Sequence, residues 1–118
     1  MGSPLGDRGE ALAAERLEAE GWQILDRNYR VGRREVDLVA RRGEVVAFVE
    51  VKTRRSGRFG HPLEAITRHK QREIAAVADA WIAAHGRAGE VYRFDAIAIT
   101  FAPDTSPRVE HLEDAWGV

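Results

Sequence analysis

With 118 residues, 44% hydrophobic and 31% charged, the chain has the make-up of one globular domain with an adequate core, and no second domain is expected. It contains no cysteine, which excludes disulfides and thiolate metal sites, so any metal must take oxygen or histidine ligands. The net charge of −1 argues against indiscriminate nucleic-acid binding, yet residues 27–72 hold 13 Lys/Arg against 5 Asp/Glu while the remainder holds 5 against 14.

Met1 to Leu5 has neither the charged start nor the apolar run of a signal peptide, and no stretch approaches a membrane span. A soluble, cytoplasmic protein without a membrane partner is therefore expected. The core should run from about residue 5 to residue 101, with a short tail over 102–118.

In chain order, a first helix is expected from Pro4 or Asp7 to Glu20, closed by Gly21. Its inward stripe reads Glu10, Ala13, Ala14 and Leu17, and Asp7-x-x-Glu10 fits an N-terminal capping box. Strands follow over Trp22 to Tyr29, Glu35 to Ala40 and Val45 to Thr53, with turns at Gly32 and Arg42-Gly43. The economical arrangement is a three-stranded meander. Arg54 to His61, rich in Arg, Gly and Ser, reads as a loop.

Pro62 opens a helical region, re-capped near Thr67, that runs to His85 and stops at Gly86. Its apolar face is Ile74, Val77, Ala78, Trp81 and Ile82. Lys70 extends that face toward the sheet, unless its ammonium snorkels outward. Val91 to Phe101 is apolar on both sides, as an interior strand covered by helices would be, and Val109 to Leu112 can form a short last strand. The fold expected is α/β: an α-β-β-β-α-β core with a mixed four- to five-stranded sheet flanked by helices.

The chemistry concentrates in two neighbouring strands. Alternation puts Glu35 and Asp37 on one face and Val36 and Leu38 on the other, while Glu50 and Lys52 share a face of the next strand. Paired across the hairpin, Asp37 and Glu50 can approach closely enough to hold one cation. Two carboxylates about 5 Å apart at an effective dielectric near 20 repel by roughly 3 kcal/mol. A divalent metal compensates best, with Lys52 or a raised pKa as weaker substitutes.

An Asp, a spacer and Glu-x-Lys closing an apolar strand resembles the pattern of restriction-endonuclease-like, or PD-(D/E)xK, nucleases. More specifically, Gly6-x-x-Gly9-Glu10-Ala11, Asn28-Tyr29-Arg30, Glu35-Val36-Asp37-Leu38-Val39-Ala40 and Phe48-Val49-Glu50-Val51-Lys52-Thr53-Arg54 are similar to segments of the YraN family of small bacterial proteins. Phe59-Gly60, Glu64-Ala65-Ile66 with Lys70, and Arg93-Phe94-Asp95 continue the likeness. That family is considered distantly related to archaeal Holliday-junction resolvases. One departure is Arg34, where the family usually has glycine.

The resemblance implies a restriction-endonuclease-like fold and a metal-dependent nuclease, acting on nucleic acid and most naturally on DNA, branched DNA included. Asp37 and Glu50 would hold Mg²⁺ or Mn²⁺ with the backbone carbonyl of Val51, and Glu10 would reach in from the first helix as an outer ligand. Lys52 would orient the attacking water, and Arg54, Arg55 and Lys70 would contact phosphates. Glu35 is an additional candidate that reads equally well as a surface residue. Asp95 reads as structural, and the four histidines are assigned no chemistry. By analogy with the resolvases a homodimer is plausible, with Trp116 and Phe59 as contact candidates. The competing expectation is a non-catalytic nucleic-acid-binding or protein-interaction module on the same scaffold.

Overall fold

The structure, a computed structural model, describes residues 4–56 and 62–117. Helix α1 (Pro4–Ala19) leads into strands β1 (Gln23–Val31), β2 (Arg34–Arg42) and β3 (Val45–Arg55); a 3₁₀ turn (Pro62–Ala65) precedes helix α2 (Arg68–His85), and strands β4 (Val91–Phe101) and β5 (Arg108–Trp116) follow. The five strands form one sheet in the order β1-β2-β3-β4-β5. Every pair is antiparallel except β3 with β4, which run parallel because α2 carries the chain back across the sheet. Among the described residues, no helix is long and apolar enough to cross a membrane.

The unbroken apolar run of β3 follows from burial on both faces. On one side Ala13, Ala14 and Leu17 of α1 pack with Leu38, Ala40, Ala47, Val49, Val51, Ile97 and Ile99. On the other, Ile74, Val77, Ala78 and Trp81 of α2 meet Val36, Val39, Val46, Phe48 and Phe94. Trp81 stands edge-on to Phe48 and donates its indole N–H to Asp26 at 2.8 Å, so its one polar atom is satisfied inside the core.

Several sequence expectations shift. The capping box is absent: α1 starts at Pro4, so Asp7 lies within the helix and the Glu10 carboxylate accepts from Asn28 instead of from backbone N–H groups. The buried stripe of α1 is Gly9, Ala13, Ala14 and Leu17, which moves Glu10 to the rim of the interface. Strict alternation also fails in β2, where Val36 packs on the α2 side and Leu38 on the α1 side. Arg54 and Arg55 belong to β3, not to a loop; Gly57 to His61, with Phe59, lie outside the described residues. The stretch read as a tail with a short strand forms the full edge strand β5. Its Trp116 stacks on Phe94 with ring centroids 5.5 Å apart, so that side chain is engaged within its own chain.

Thr67 caps α2 through its hydroxyl, which accepts the Lys70 N–H at 3.1 Å, and this sets the phase that aims Lys70 at the sheet. At the other helix, Gly9 lets α1 lie directly on β3: a Cβ there would stand 2.0 Å from Thr53 Oγ1. Gly9→Ala is therefore expected to lose about 1–3 kcal/mol in urea unfolding, with Thr53→Ala in the same chain recovering part of the loss. Wild-type stability in Gly9→Ala would show that the contact is not tight.

Candidate functional site

The site lies where the sheet forks. β2 and β3 are paired from Arg42/Val45 only as far as Leu38/Val49. Beyond that, β2 stays with β1 down to Arg34 while β3 stays with β4 up to Arg55, so the two strands part. Asp37 sits in the mouth of the fork, and its Oδ2 accepts the Val51 N–H at 2.7 Å, replacing the ladder bond that the parting removes.

A cleft of about 330 Å³ opens there, lined by Leu5, Gly6, Glu10, Asp37, Glu50, Val51, Lys52 and Thr53. Asp37 and Glu50 line this same cleft. Burial, and after it the charge of Glu50, push the Asp37 carboxyl up to about 7, against the opposing pull of the Val51 N–H. Burial raises the Glu10 carboxyl as well; the Asn28 hydrogen bond opposes that, and the charge of Asp37 adds to it. The Asp37 carboxyl is therefore only partly ionised at neutral pH.

Glu50 is 3% exposed. Lys52 Nζ stands 3.4 Å from its Oε2 and Lys70 Nζ, reaching across from α2, 3.8 Å from the same oxygen. Its other oxygen, Oε1, is buried without a hydrogen-bond donor. Such an atom carries an uncompensated desolvation cost, and a cation or a donor arriving in the cleft would remove it.

Among the described residues, no three Asp, Glu or His side chains gather into a ready cation cage. Glu10 lines the cleft, but Asn28 holds its Oε1 at 2.9 Å and reaches Glu35 Oε1 at 3.3 Å. Glu35 also pairs with Arg30 at 2.7 Å. The remaining donor set, two carboxylates and a neighbouring backbone carbonyl, fits Mg²⁺ or Mn²⁺, since Mg²⁺ is usually bound through one or two carboxylates with water completing the shell.

Of the residues singled out for phosphate contact, Lys70 is drawn to Glu50, and Arg54 donates from Nε to Thr100 Oγ1 at 3.3 Å. Arg55 is exposed at the end of β3. Sequence reading missed Asn28, whose φ of 50° turns the backbone so that one amide bridges two carboxylates. Its signal lay in Asn28-Tyr29-Arg30, one of the segments that carry the family likeness. Also missed was His111, whose ring nitrogens bond Asp95 Oδ2 at 2.7 Å and Glu20 Oε1 at 2.8 Å in a network away from the cleft.

A five-stranded mixed sheet between two helices, forked around paired carboxylates and two lysines, defines a small α/β protein with an acidic-lysine centre. The chain belongs to the uncharacterised protein family UPF0102, whose model matches residues 9–99 and so spans Glu10, Asp37, Glu50, Lys52 and Lys70. This is the family to which the YraN resemblance pointed. A UPF0102 protein of Anaeromyxobacter dehalogenans is 50% identical over 112 residues, covering 95% of this chain and 83% of the relative. One from Geobacter sulfurreducens is 48% identical, covering 95% and 88%, and one from Rhodococcus jostii 46% identical, covering 95% of both chains.

Proposed function

We propose that the fork is the centre of a metal-dependent nuclease that hydrolyses phosphodiester bonds in nucleic acid, DNA in the first place, in the cytoplasm. The observation that carries the reading is the junction of Asp37 with the orphaned Glu50 Oε1 under two lysines. Two carboxylates brought together, Glu50 buried and Asp37 half-buried, are costly, and a fold that keeps them there with Oε1 unsatisfied is arranged for a cation that comes and goes.

Asp37 and Glu50, with the carbonyl of Val51, would hold Mg²⁺ or Mn²⁺. When bound, such an ion supplies Lewis acidity toward a phosphoryl oxygen and makes its water a stronger nucleophile. Lys52, one-third exposed at the cleft, would orient the attacking water and neutralise charge developing on phosphorus. Lys70 would hold Glu50 in place from α2 while its remaining donors meet phosphate. Glu10, kept in position by Asn28, would accept from water in the outer shell.

The test is incubation with Mg²⁺ or Mn²⁺ and a panel of linear, flapped, four-way and single-stranded DNA and RNA, with Asp37→Ala and Lys52→Ala run alongside. Cleavage should be lost by at least about 100-fold in both variants, while Lys52→Ala keeps its affinity for the substrate within a few fold. Equal loss of binding and cleavage would make Lys52 a phosphate contact only. Binding by all three proteins with no cleavage would leave a nucleic-acid-binding module.

A further inference from the structure

A second cleft of about 550 Å³ adjoins the first, and Leu5 lines both. Its walls are Arg8 from α1, Arg55 and Ser56 at the end of β3, Phe101 at the end of β4, and the 102–107 connection to β5 with Pro103 and Pro107. The strand register fixes this meeting: Arg55 pairs with Phe101, and the Ser56 N–H donates to the Phe101 carbonyl at 2.6 Å. Parallel partners in register share a face, so Arg55 and Phe101 project to the same side, the side that α1 covers.

Part of the basic region is neutralised by ion pairs. Arg30 is paired with Glu35, Arg41 with Glu90 and Arg42 with Glu113. Among the described residues, Arg8 and Arg55 have no carboxylate partner. The Arg8 guanidinium instead rests over the Phe101 ring, 4.6 Å from its centroid. That contact anchors an exposed, planar cation in the groove wall.

We infer that this groove receives an unpaired nucleic-acid strand next to the acidic fork, with a base stacked on the Arg8 plane and its phosphate met by Arg55. The inference rests on the nucleic-acid reading of the fork and adds the substrate class: a junction or end at which a single strand leaves a duplex. A cleft of this volume takes a ligand of drug size, roughly one or two nucleotides and not a duplex. An apolar wall, a stacked guanidinium plane and a free arginine are the means by which proteins hold unpaired strands without reading sequence. Leu5 lines both clefts, so the groove lies next to the cleft of Asp37 and Glu50.

Fluorescence anisotropy in metal-free buffer tests this without reference to turnover. The probes are a blunt duplex of about 20 base pairs and the same duplex carrying a 3′ or a 5′ tail of about five nucleotides, within the range one such site covers. Wild type should bind one tailed duplex about tenfold more tightly than the blunt one. Arg8→Gln and Arg55→Gln should each remove most of that preference while leaving blunt-duplex affinity within about twofold, and each should lower the salt slope for the tailed probe by about one.

Arg8→Lys keeps the charge and loses the plane, so it should fall between wild type and Arg8→Gln. Melting curves establish that the variants are folded, and Arg55, exposed and without a carboxylate partner among the described residues, provides a second route should Arg8 variants be impaired. Equal affinity for tailed and blunt probes, or equal loss on both in the two glutamine variants, overturns the groove. Wild-type behaviour in Arg8→Lys overturns the stacking. A tail preference in a protein that cuts nothing with Mn²⁺ would leave the groove standing and remove the nuclease, whereas cleavage without tail preference would do the reverse.

Discussion

Asp37→Asn is expected to yield a protein that is more stable than wild type in metal-free buffer and that no longer binds Mn²⁺ or cuts. The Asp37 carboxyl titrates near 7 in the folded chain against 3.8 as its ordinary value. The folded state thus holds this proton more tightly than the unfolded state. Below pH 3.8 both states are protonated and the group is neutral to stability; between 3.8 and about 7 the unfolded chain ionises while the folded chain keeps its proton, so stability falls across that range and the loss is complete above about 7. Linkage sets the upper limit of the loss at roughly 4 kcal/mol, and the open side of the cleft reduces it to about 2.

Asparagine is the informative replacement because its amide oxygen can still accept the Val51 N–H while the charge is gone. At pH 8 with chelator, Asp37→Asn should melt roughly 5–10 °C above wild type, and the gap should narrow at pH 5. Adding Mn²⁺ at about 100 times its dissociation constant should then stabilise wild type by about 2.7 kcal/mol and leave the variant unmoved. A variant that melts at or below wild type at pH 8, or that responds equally to Mn²⁺, would remove Asp37 from the cation site.

The fold was legible because its signals are local. Apolar runs, Gly21, Gly43 and the Thr67 cap mark the elements independently of what they pack against, and they give the α-β-β-β-α-β order directly. The unread parts depend on long-range geometry. No period in the sequence shows that β2 and β3 separate after Leu38 and Val49, yet that parting creates the cleft and shifts Val36 and Leu38 to opposite sides. The one-residue phase of α1, which buries Gly9 in place of Glu10, is set by the contact with Thr53, 44 positions later. Glu50, Lys52 and Asp37 were visible in the motif, whereas Arg8 with Phe101 and His111 with Asp95 join residues that the chain separates widely. The edge strand β5 was underestimated because its polar residues read as a solvated tail, whereas one of them, His111, is buried against Asp95 of β4.

That network carries the second large effect. The His111 side chain is 4% exposed and lies between Asp95, itself fully buried, and Glu20 at the end of α1. Arg93 holds the Asp95 carboxylate at 2.9 and 3.0 Å and also reaches Glu113; the Asp114 N–H adds a third donor, and Arg16 pairs with Glu20. Three separate elements, α1, β4 and β5, are thereby tied at one ring, directly behind the register that pairs Asp95 with Val49 beside Glu50. His111→Ala leaves two carboxylates short of their shared cation and is expected to cost about 3 kcal/mol, a large part of the stability of a domain this size.

The pH dependence separates this ionic role from mere packing. Burial works to lower the His111 pKa, but its bonds to Asp95 and Glu20 outweigh that and raise it above 6.5. Its contribution is complete below 6.5 and is lost as pH rises through the elevated value. For Asp95 and Glu20, burial is likewise outweighed by the hydrogen bonds from His111 and the arginines, which lower both; their contribution is complete above 3.8 and 4.5 and is lost on acidification. All three act together between pH 4.5 and 6.5. Urea unfolding of Asp37→Asn with and without His111→Ala, a background that silences the titration of Asp37, should give the largest difference near pH 5.5 and a smaller one by pH 9. A difference that stays constant across that range would mean that His111 acts through shape alone and that β5 is held by packing of Trp116 on Phe94, not by charge.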